Sequence, residues 1–482
     1  MSAARQDQLH TFQLANPTPL GRDHVNRWEL WIGKLVGRSR ARRWKVVASC
    51  LLLSGQTAIA EDSSACCADL DARIAELEAA AAAKGNSKTA LTLYGHVNQA
   101  VMAWNDGYER NAYFVTNDAS RTRIGLRGKS EINADLSAIF LLELGIRSAN
   151  SKRSDQTEIT SGMHSRRAWW GAASKRLGTV QIGRVVTSLE EITEANLADT
   201  RRGAKYSDVE DSGLGLRLRS ETTPALSDVT WRRLLKHTGN QPGEGDAQMG
   251  IRYITPTISG FFASLAWGAD DAWDASIQYL GDISDFTVEG RIGYGQSKDA
   301  GDEVSIQCVA TNVPRAPSDA ECEMLGGSLS IMHRQTGLYG NVAGGWFEDH
   351  TASYASVFAG IEAQSESTFF ALEAGIQRPW LDMGATTLFG QYYRMDGGAN
   401  ARLAVPASDA INSIGVDAGI ASSTVTSWSV GITQDIEAAN TKLYVFYRQY
   451  SADVTLAGSG IEQVSEPLEN LDIVMSGAIV RF

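Results

Sequence analysis

The chain has 482 residues and a formal net charge of −12, with 44 Lys and Arg against 56 Asp and Glu. This acidic balance disfavours a nucleic-acid-binding protein, which needs a basic face, and an apolar content of 43% disfavours disorder. No run of about 18 apolar residues occurs, so the sequence predicts no full-length transmembrane helix.

The N-terminal residues have the pattern of an export signal. An apolar core at 46–53 is followed by Ala58-Ile59-Ala60, a small-x-small cleavage site. The core is preceded by a basic run made of Arg38, Arg40, Arg42, Arg43 and Lys45. Sixty residues are too many for one signal peptide, so we interpret 1–60 as an over-extended N-terminus plus a signal peptide.

Residues 61–89 predict a short helix rich in Ala and Glu. Leu70, Ile74, Leu77 and Ala81 recur at alternating spacings of four and three, which is the seam of a short coiled coil. Two heptads are too few to be stable alone. We therefore expect either a helix that bundles at the axis of an oligomer or a solvated spacer helix.

From Ala90 to the end, the hydrophobic period changes to the two-residue alternation of β-strands. Each run has one apolar and one polar face and about ten residues, the length of a tilted strand that crosses a membrane. Clear examples of these runs lie at 91–97, 136–146, 273–279, 286–294 and 427–433.

The connections between these runs alternate between short and long. Short connections are expected at 130–134, 175–178, 256–259, 335–336, 379–382 and 436–440. Long connections are expected at 148–163, 186–212, 298–324, 348–367, 396–424 and 452–470. A soluble β-sandwich has no reason to segregate loop lengths to its two ends, whereas a transmembrane barrel does. The sequence therefore predicts an all-β protein with a transmembrane antiparallel β-barrel.

The number of runs predicts sixteen strands, or eighteen if 213–235 contributes another hairpin. In that uncertain segment Leu214, Leu216 and Leu218 alternate as a lipid-facing set, with Arg217 and Arg219 turned towards the lumen. A barrel of either size is wide enough to leave an aqueous lumen.

Several short motifs resemble those of the alphaproteobacterial general porins of Gram-negative bacteria. They are Leu-Tyr-Gly-His-Val-Asn-Gln-Ala at 93–100, Ser-Arg-Thr-Arg-Ile-Gly-Leu-Arg-Gly at 120–128, Arg-Tyr-Ile-Thr-Pro-Thr-Ile-Ser-Gly-Phe at 252–261 and the terminal Phe482. The resemblance covers 90–482 together with the coiled-coil prefix. It implies a homotrimer of outer-membrane channels, each narrowed by an inward-folded third long loop, with Phe482 as the assembly signal.

What this resemblance implies for function is passive diffusion of ions and small hydrophilic solutes. The partners would be other copies of the chain, outer-membrane lipid including lipopolysaccharide, and the permeating solutes, with no cofactor, metal or nucleic acid.

The third long loop follows Val185 and runs towards Asp199. Ser188 and Glu191 have capping-box spacing, which predicts a helical turn. The acidic residues that would face the channel from this loop are Glu190, Glu191, Glu194 and Asp199.

An arginine-rich strand supplies the basic side of the predicted constriction. Four basic residues at odd-numbered positions would point to the same face of this strand, opposite Ile124 and Leu126. They are Arg121, Arg123, Arg127 and Lys129. An acidic loop opposite a basic wall sets up a transverse field that passes ions and dipolar solutes and resists apolar ones. The alternatives are that the basic residues bind lipopolysaccharide or join a structural network, and that the acidic residues form a solvated face.

Cys308 and Cys322 bracket a short Pro-rich segment. No His lies between them to complete a metal site, so a disulfide that staples one loop is the better interpretation.

The sequence has no G-x-S-x-G, H-E-x-x-H or P-loop motif. We therefore do not expect an enzyme. Two alternatives remain beside the general channel: a substrate-selective channel for an anion or a sugar, and a barrel that the coiled coil and Cys66-Cys67 tether to another envelope layer.

Overall fold

The computed structural model describes residues 89–235, 241–268, 271–298, 306, 308, 321–350, 364–399, 403–458, 460 and 463–482. The predicted signal segment (1–60) lies outside these residues. So does the predicted helix at 61–89, apart from Thr89, which begins the first strand. Both stay predictions.

Twenty-one strands occur in the described residues. They are β1 (Thr89–Asn105), β2 (Arg110–Thr116), β3 (Arg123–Glu131), β4 (Leu136–Arg147), β5 (Gly162–Ser174), β6 (Gly178–Val186), β7 (Arg217–Ser220), β8 (Thr223–Thr230), β9 (Ala247–Ile254), β10 (Phe261–Gly268), β11 (Trp273–Ile283), β12 (Phe286–Ser297), β13 (Cys322–His333), β14 (Leu338–Asp349), β15 (Glu366–Leu381), β16 (Gly384–Asp396), β17 (Ala404–Val405), β18 (Ala418–Ile436), β19 (Thr441–Ala457), β20 (Val464–Glu466) and β21 (Leu471–Arg481).

Helical structure in the described residues is slight. One α-helix, α1, spans Trp231–Leu235, and single 3-10 turns occur at Asp118–Ser120, Thr200–Arg202, Val209–Asp211 and Glu437–Ala439. Within the same residues, no helix is both long and apolar enough to serve as a membrane span.

A closed antiparallel barrel of sixteen strands forms from these elements. It closes where β1 pairs with β21, from His96 opposite Arg481 to Asn105 opposite Asp472. β2 and β3 together form one barrel strand: β2 pairs with the second half of β1 and β3 with the first half. The strand is interrupted at 117–122, where the 3-10 turn Asp118–Ser120 bends the chain. The predicted count of sixteen is confirmed.

The eighteen-strand alternative is wrong because β7 and β8 form a separate two-stranded sheet. One isolated bridge, between Ser220 and Leu468, is its further β-pairing in the described residues. They belong to the long connection between β6 and β9, which continues to Asp246 instead of ending near Ser212.

The strands turn their apolar side chains outward, as the alternation predicts. On β4, Leu142 and Leu144 are exposed, whereas Glu143 between them is only 2% exposed and faces the interior. Such an outer surface suits hydrocarbon, and an inner residue such as Glu143 suits water or polar protein groups.

The connection between β6 and β9 folds into the barrel interior, and we call its described residues, 187–235 and 241–246, the plug. Leu214, Leu216 and Leu218 of the plug are fully buried, in one apolar cluster with inward-facing wall residues of β1, β14–β16, β18, β19 and β21. The prediction that these leucines face lipid is wrong. The main apolar core of this protein lies inside the barrel, between the plug and one side of the wall.

Candidate functional site

The inner wall provides hydrogen-bond partners for the irregular main chain of the plug. On β13, Ser328 Oγ accepts from the N–H of Ala195 at 3.0 Å, and Ser330 Oγ accepts from the N–H of Leu197 at 3.0 Å. Because a buried main-chain N–H without a partner is costly, these wall hydroxyls fix the path of the plug.

Glu373 on β15 is a second anchor. Its buried carboxylate accepts hydrogen bonds from Thr200 Oγ1 at 2.8 Å and from Asn196 Nδ2 at 3.2 Å, both in the plug. Asn341 of β14 and Gln391 of β16 donate to the same carboxylate at 3.0 and 2.6 Å. A carboxylate with this many donors can remain buried without a countercharge in contact.

On the opposite side, the plug and the β2–β5 wall enclose a polar cavity of about 80 Å³. Its lining consists of Asp118, Ala119, Arg121, Arg123, Lys152, Arg166, Glu190, Glu191, Glu194, Lys205, Asp208, Glu244, Gly245 and Asp246. We call this cavity the constriction. Five of the eight predicted channel residues lie in it: Arg121, Arg123, Glu190, Glu191 and Glu194.

The wall side of the constriction is basic. Arg121 belongs to the break between β2 and β3, where its guanidinium lies 3.4 Å from Asp118, and Arg123 begins β3. Arg166 joins them from β5, at a point where the pairing of β4 with β5 shifts register. Glu143 of β4 contacts Arg166 at 2.7 Å and Arg123 at 3.7 Å, which neutralises part of this charge.

Arg166 and Arg167 were missed by the sequence analysis. A bulge allows consecutive residues of one strand to point the same way, so both arginines face the interior here. The only indication in the sequence was a pair of adjacent arginines inside an otherwise alternating run.

The plug side of the constriction is acidic and carries its own cations. Glu190 lies 3.2 Å from Arg167 across the gap. Glu191 pairs with Arg201 at 2.7 Å, and Glu194 pairs with Lys205 at 2.7 Å. The charge of Arg201 holds the pKa of Glu191 well below its ordinary value, so this carboxylate stays ionised under all ordinary conditions. Arg201 and Lys205 were also missed by the sequence analysis.

Glu244 differs from the other acids of the plug. Burial, and then the negative charge of Glu194, raise its pKa well above the ordinary value. Its carboxyl group accepts hydrogen bonds from the N–H of Thr193 at 3.1 Å and from Thr193 Oγ1 at 2.6 Å. Glu244 therefore holds its proton to a higher pH than an ordinary glutamic acid does.

Three predicted channel residues lie elsewhere. Asp199 pairs with Arg202 at 2.7 Å and, on the wall, with Lys442 and Arg481, both at 3.4 Å. Arg127 lies over the ring of Tyr94, 5.0 Å from its centroid. Lys129 pairs with Glu131 at 3.6 Å near the end of β3 and is exposed.

The predicted helical turn at the start of the plug is wrong. Residues 188–193 form consecutive turns instead, and Glu191 has a φ of 59°. A residue in this left-handed region cannot continue a right-handed helix.

The C-terminal residue closes the barrel at the short-turn end. Phe482 and Gly95 exchange two main-chain hydrogen bonds, at 3.0 and 3.1 Å. A Cβ atom on Gly95 would lie 2.6 Å from the Phe482 ring, so only glycine leaves room for it.

The predicted disulfide between Cys308 and Cys322 is confirmed. Both cysteines are buried, and Cys322 is the first residue of β13.

Two groups within the described residues bring three metal-ligating side chains within 4.8 Å of one another. In the first, Asp208, Glu210 and Asp211 are already paired with plug and loop cations: Lys205 lies 3.2 Å from both Asp208 and Asp211, and Lys152 contacts Glu210. The second group consists of Glu323, Glu348 and His350, at the end of the strand pair where β13 begins and β14 ends.

Comparison with known proteins relates this architecture to one family. The sequence profile of a family described as Gram-negative porin matches residues 74–455. A search of curated protein sequences finds no match.

Several solved structures are similar. The anion-selective porin from Comamonas acidovorans is 17% identical, with a TM-score of 0.50 over 82% of this chain and 100% of that chain. Salmonella typhi OmpF in complex with daunomycin is 14% identical, with a TM-score of 0.48 over 83% and 99% of the two chains. The outer membrane channel DcaP of Acinetobacter baumannii is 12% identical, with a TM-score of 0.46 over 83% and 99%. At these identities the likeness concerns the fold alone.

Proposed function

The chain belongs to the Gram-negative porin family, and from this premise we propose that it is a trimeric general-diffusion channel whose passage runs between the plug and the β3–β5 wall. As a member of that family it is an outer-membrane porin, a water-filled channel for passive diffusion of ions and small hydrophilic solutes. Our proposal concerns the trimer, the path, and the residues that set selectivity. We further propose lipopolysaccharide among the lipids that contact its outer surface.

One observation carries the assignment of the path. Arg121, Arg123 and Arg166 line one side of the constriction, and Glu190 and Glu191 line the other. The part of the inner wall from β13 to β21 is covered by the plug through apolar packing and hydrogen bonds. Solutes would therefore pass off-centre, through a gap with charges of opposite sign on its two sides.

Such a gap favours dipolar and ionic solutes for a physical reason. A solute loses hydration energy when it enters a narrow passage. A dipolar solute that aligns with the transverse field regains part of this energy through its interaction with the field. An apolar solute displaces ordered water and gains no such interaction energy. The contributions of opposite sign also limit the preference for either ion, as general diffusion requires.

A substrate-selective channel for an anion is the second candidate. The observation that favours it is the presence of interior arginines beyond those predicted, namely Arg166 and Arg167 on β5. Their contacts with Glu143 and Glu190 offset much of this positive charge, so general diffusion is the function that the geometry supports best.

The test is single-channel recording of the purified protein in a planar bilayer, with a salt gradient. We expect conductance steps that close in threes and a modest ion preference. Arg121→Gln and Arg123→Gln should move the permeability ratio towards cations, and Glu190→Gln towards anions. Lys129→Gln is the matched control, because it removes one positive charge from the same strand as Arg123, outside the constriction.

Each result has a defined meaning. If Arg121→Gln and Lys129→Gln shift the ratio equally, the assigned path is wrong and these arginines belong to a structural network. Block of the current by millimolar phosphate would move the assignment to the anion-selective channel.

A further inference from the structure

The acidic pair of the constriction is flanked by two apolar residues that point away from the channel. Leu189 precedes Glu190 and Ile192 follows Glu191, and both apolar side chains are fully buried. They form a small cluster of their own, separate from the main core, with Ile306, Cys308, Cys322, Met324 and Phe347. The Cys308–Cys322 disulfide therefore lies directly behind the turn that presents the acids.

The cluster is tightly filled. Gly295 on β12 has no side chain, and that space is occupied by Ile306 and Leu189: a Cβ atom there would lie 2.5 Å from Ile306 Cδ1 and 2.9 Å from Leu189 Cδ1. The disulfide joins Cys308 to β13, with 5.5 Å between the Cα atoms. Ile306, two residues before Cys308, is thus tied to the barrel wall by the bridge.

The main chain of the turn is fixed at a few other points. Glu191 has the left-handed φ of 59°, a conformation that costs a non-glycine residue energy unless its surroundings hold it. Arg291 of β12 donates to the carbonyl oxygen of Glu191 at 2.5 Å, and Gly245 donates to the carbonyl oxygen of Leu189 at 3.1 Å. Packing from behind by the disulfide cluster completes this support.

We propose that the Cys308–Cys322 disulfide is a positioning element for permeation, which sets the place of Glu190 and Glu191 in the channel by holding Ile306 against Leu189 and Ile192. The inference rests on the proposed role of the constriction. Without the bridge, the turn would lose its backing and the acids would move away from the wall arginines. A purely structural disulfide would stabilise the barrel and leave ion preference unchanged.

The experiment compares permeability ratios in a salt gradient. The Cys308→Ser/Cys322→Ser double variant should shift the permeability ratio towards anions, in the same direction as Glu190→Gln, since charges count only near the narrowest point. Leu189→Ala and Ile306→Ala keep the disulfide but remove side-chain atoms that pack in the cluster. Both should shift the permeability ratio in the same direction. Combining Leu189→Ala with the double cysteine variant should add little, because both changes act through one contact.

Two controls separate positioning from stability and from the constriction itself. Val454→Ala removes buried apolar volume from the main core on β19, away from the cluster, and should lower the melting temperature without a shift in the ratio. Glu190→Gln and Glu191→Gln in the bridged protein test the constriction directly.

The outcomes are distinct. If the glutamine variants shift the ratio and the cysteine, Leu189 and Ile306 variants melt earlier with a wild-type ratio, the positioning role is refuted and the proposed function stands. If the glutamine variants leave the ratio unchanged, the proposed function fails and this inference falls with it. Should the double cysteine variant not fold, Ile306→Ala and Leu189→Ala decide the question.

Discussion

Arg448 on β19 donates a hydrogen bond from Nη2 to the carbonyl oxygen of Lys205 in the plug, at 2.6 Å. The same guanidinium contacts Gln391 Oε1 at 2.5 Å and Ser212 Oγ at 3.2 Å. Arg448 is only 1% exposed, so moving the plug would leave this buried charge with Gln391 of the wall but without its two plug partners, which is costly. We therefore expect the plug to stay fixed against the wall, as the proposed path beside it requires.

Arg448→Met should loosen the plug. The substitution removes the Arg448 donor from the acceptors on Lys205 and Ser212, at about 1–3 kcal/mol for each buried group left unpaired, whereas Gln391 Oε1 keeps its hydrogen bond from Ser429 Oγ. We expect a lower melting temperature, which can be measured from the heat-induced mobility shift of the protein in detergent. We also expect a noisier open-channel current.

Arg394→Met is the control for this prediction, because Arg394 is 51% exposed and its ion pair is with Asp396 on the same strand. An exposed pair contributes at most about 1 kcal/mol. Equal effects of the two substitutions would show that the plug does not depend on Arg448.

Glu244 should give the channel a pH dependence. Since burial and Glu194 raise its pKa, the carboxyl group ionises at a higher pH than an ordinary glutamic acid. The wild type should therefore become more cation-preferring as the pH rises through this raised pKa, whereas Glu244→Gln should not show this change.

The same carboxyl group links stability to pH. Its pKa is higher in the folded protein than the ordinary 4.5, so the folded state binds a proton that the unfolded state has lost. Stability therefore falls as the pH rises from about that ordinary value through the raised one. Glu244→Gln should show a shallower loss of melting temperature over this interval, and an equal slope would contradict the assignment.

The alternation of polar and apolar residues predicted the barrel, because one face of each strand contacts hydrocarbon and the other faces the interior. Leu142, Glu143 and Leu144 illustrate this: the leucines are outside and the glutamate is inside. Alternation cannot distinguish lipid from a packed protein filling, however, since both favour apolar side chains. Leu214, Leu216 and Leu218 were misread for this reason.

The constriction was predictable only in part. Arg123 could be placed because the alternation of its strand predicts which face it occupies. Glu190 could be placed because it lies in the predicted third long loop. The inward position of Arg166 depends on a bulge in β5, and the position of Arg201 depends on the plug turning back on itself. Neither feature can be predicted from the hydrophobic period. The partner of Glu191 was therefore invisible in the sequence.

The interior position of the plug leucines leads to a further prediction. Leu216→Ala should create a cavity in a protein-packed core and destabilise the barrel by about 2–5 kcal/mol. Leu142→Ala removes the same atoms from an outward position that is 52% exposed, where lipid can fill the space. Melting of the two variants in detergent should differ clearly, and similar values would mean that the plug contributes little stability.

Gly95 should be essential for closing the barrel at Phe482. A Cβ atom at position 95 would lie 2.5 Å from the carbonyl oxygen of Arg123 and 2.6 Å from the Phe482 ring. The first neighbour is main chain and cannot move without breaking the pairing of β1 with β3. Gly95→Val should therefore sharply reduce the yield of heat-modifiable, folded protein, through overpacking that costs about 1–3 kcal/mol or more.

Gly162 at the start of β5 is the matched control for this substitution, because a Cβ atom there meets nothing within 4 Å. Gly162→Val should fold with wild-type yield. Phe482→Ala separates the two contacts of Gly95: it removes the ring and keeps the main-chain hydrogen bonds. If the ring is the greater obstacle, Phe482→Ala should partly restore folding of Gly95→Val. If the clash with the Arg123 carbonyl dominates, as the immobility of main chain in a closed barrel leads us to expect, the double variant should fold no better than Gly95→Val alone.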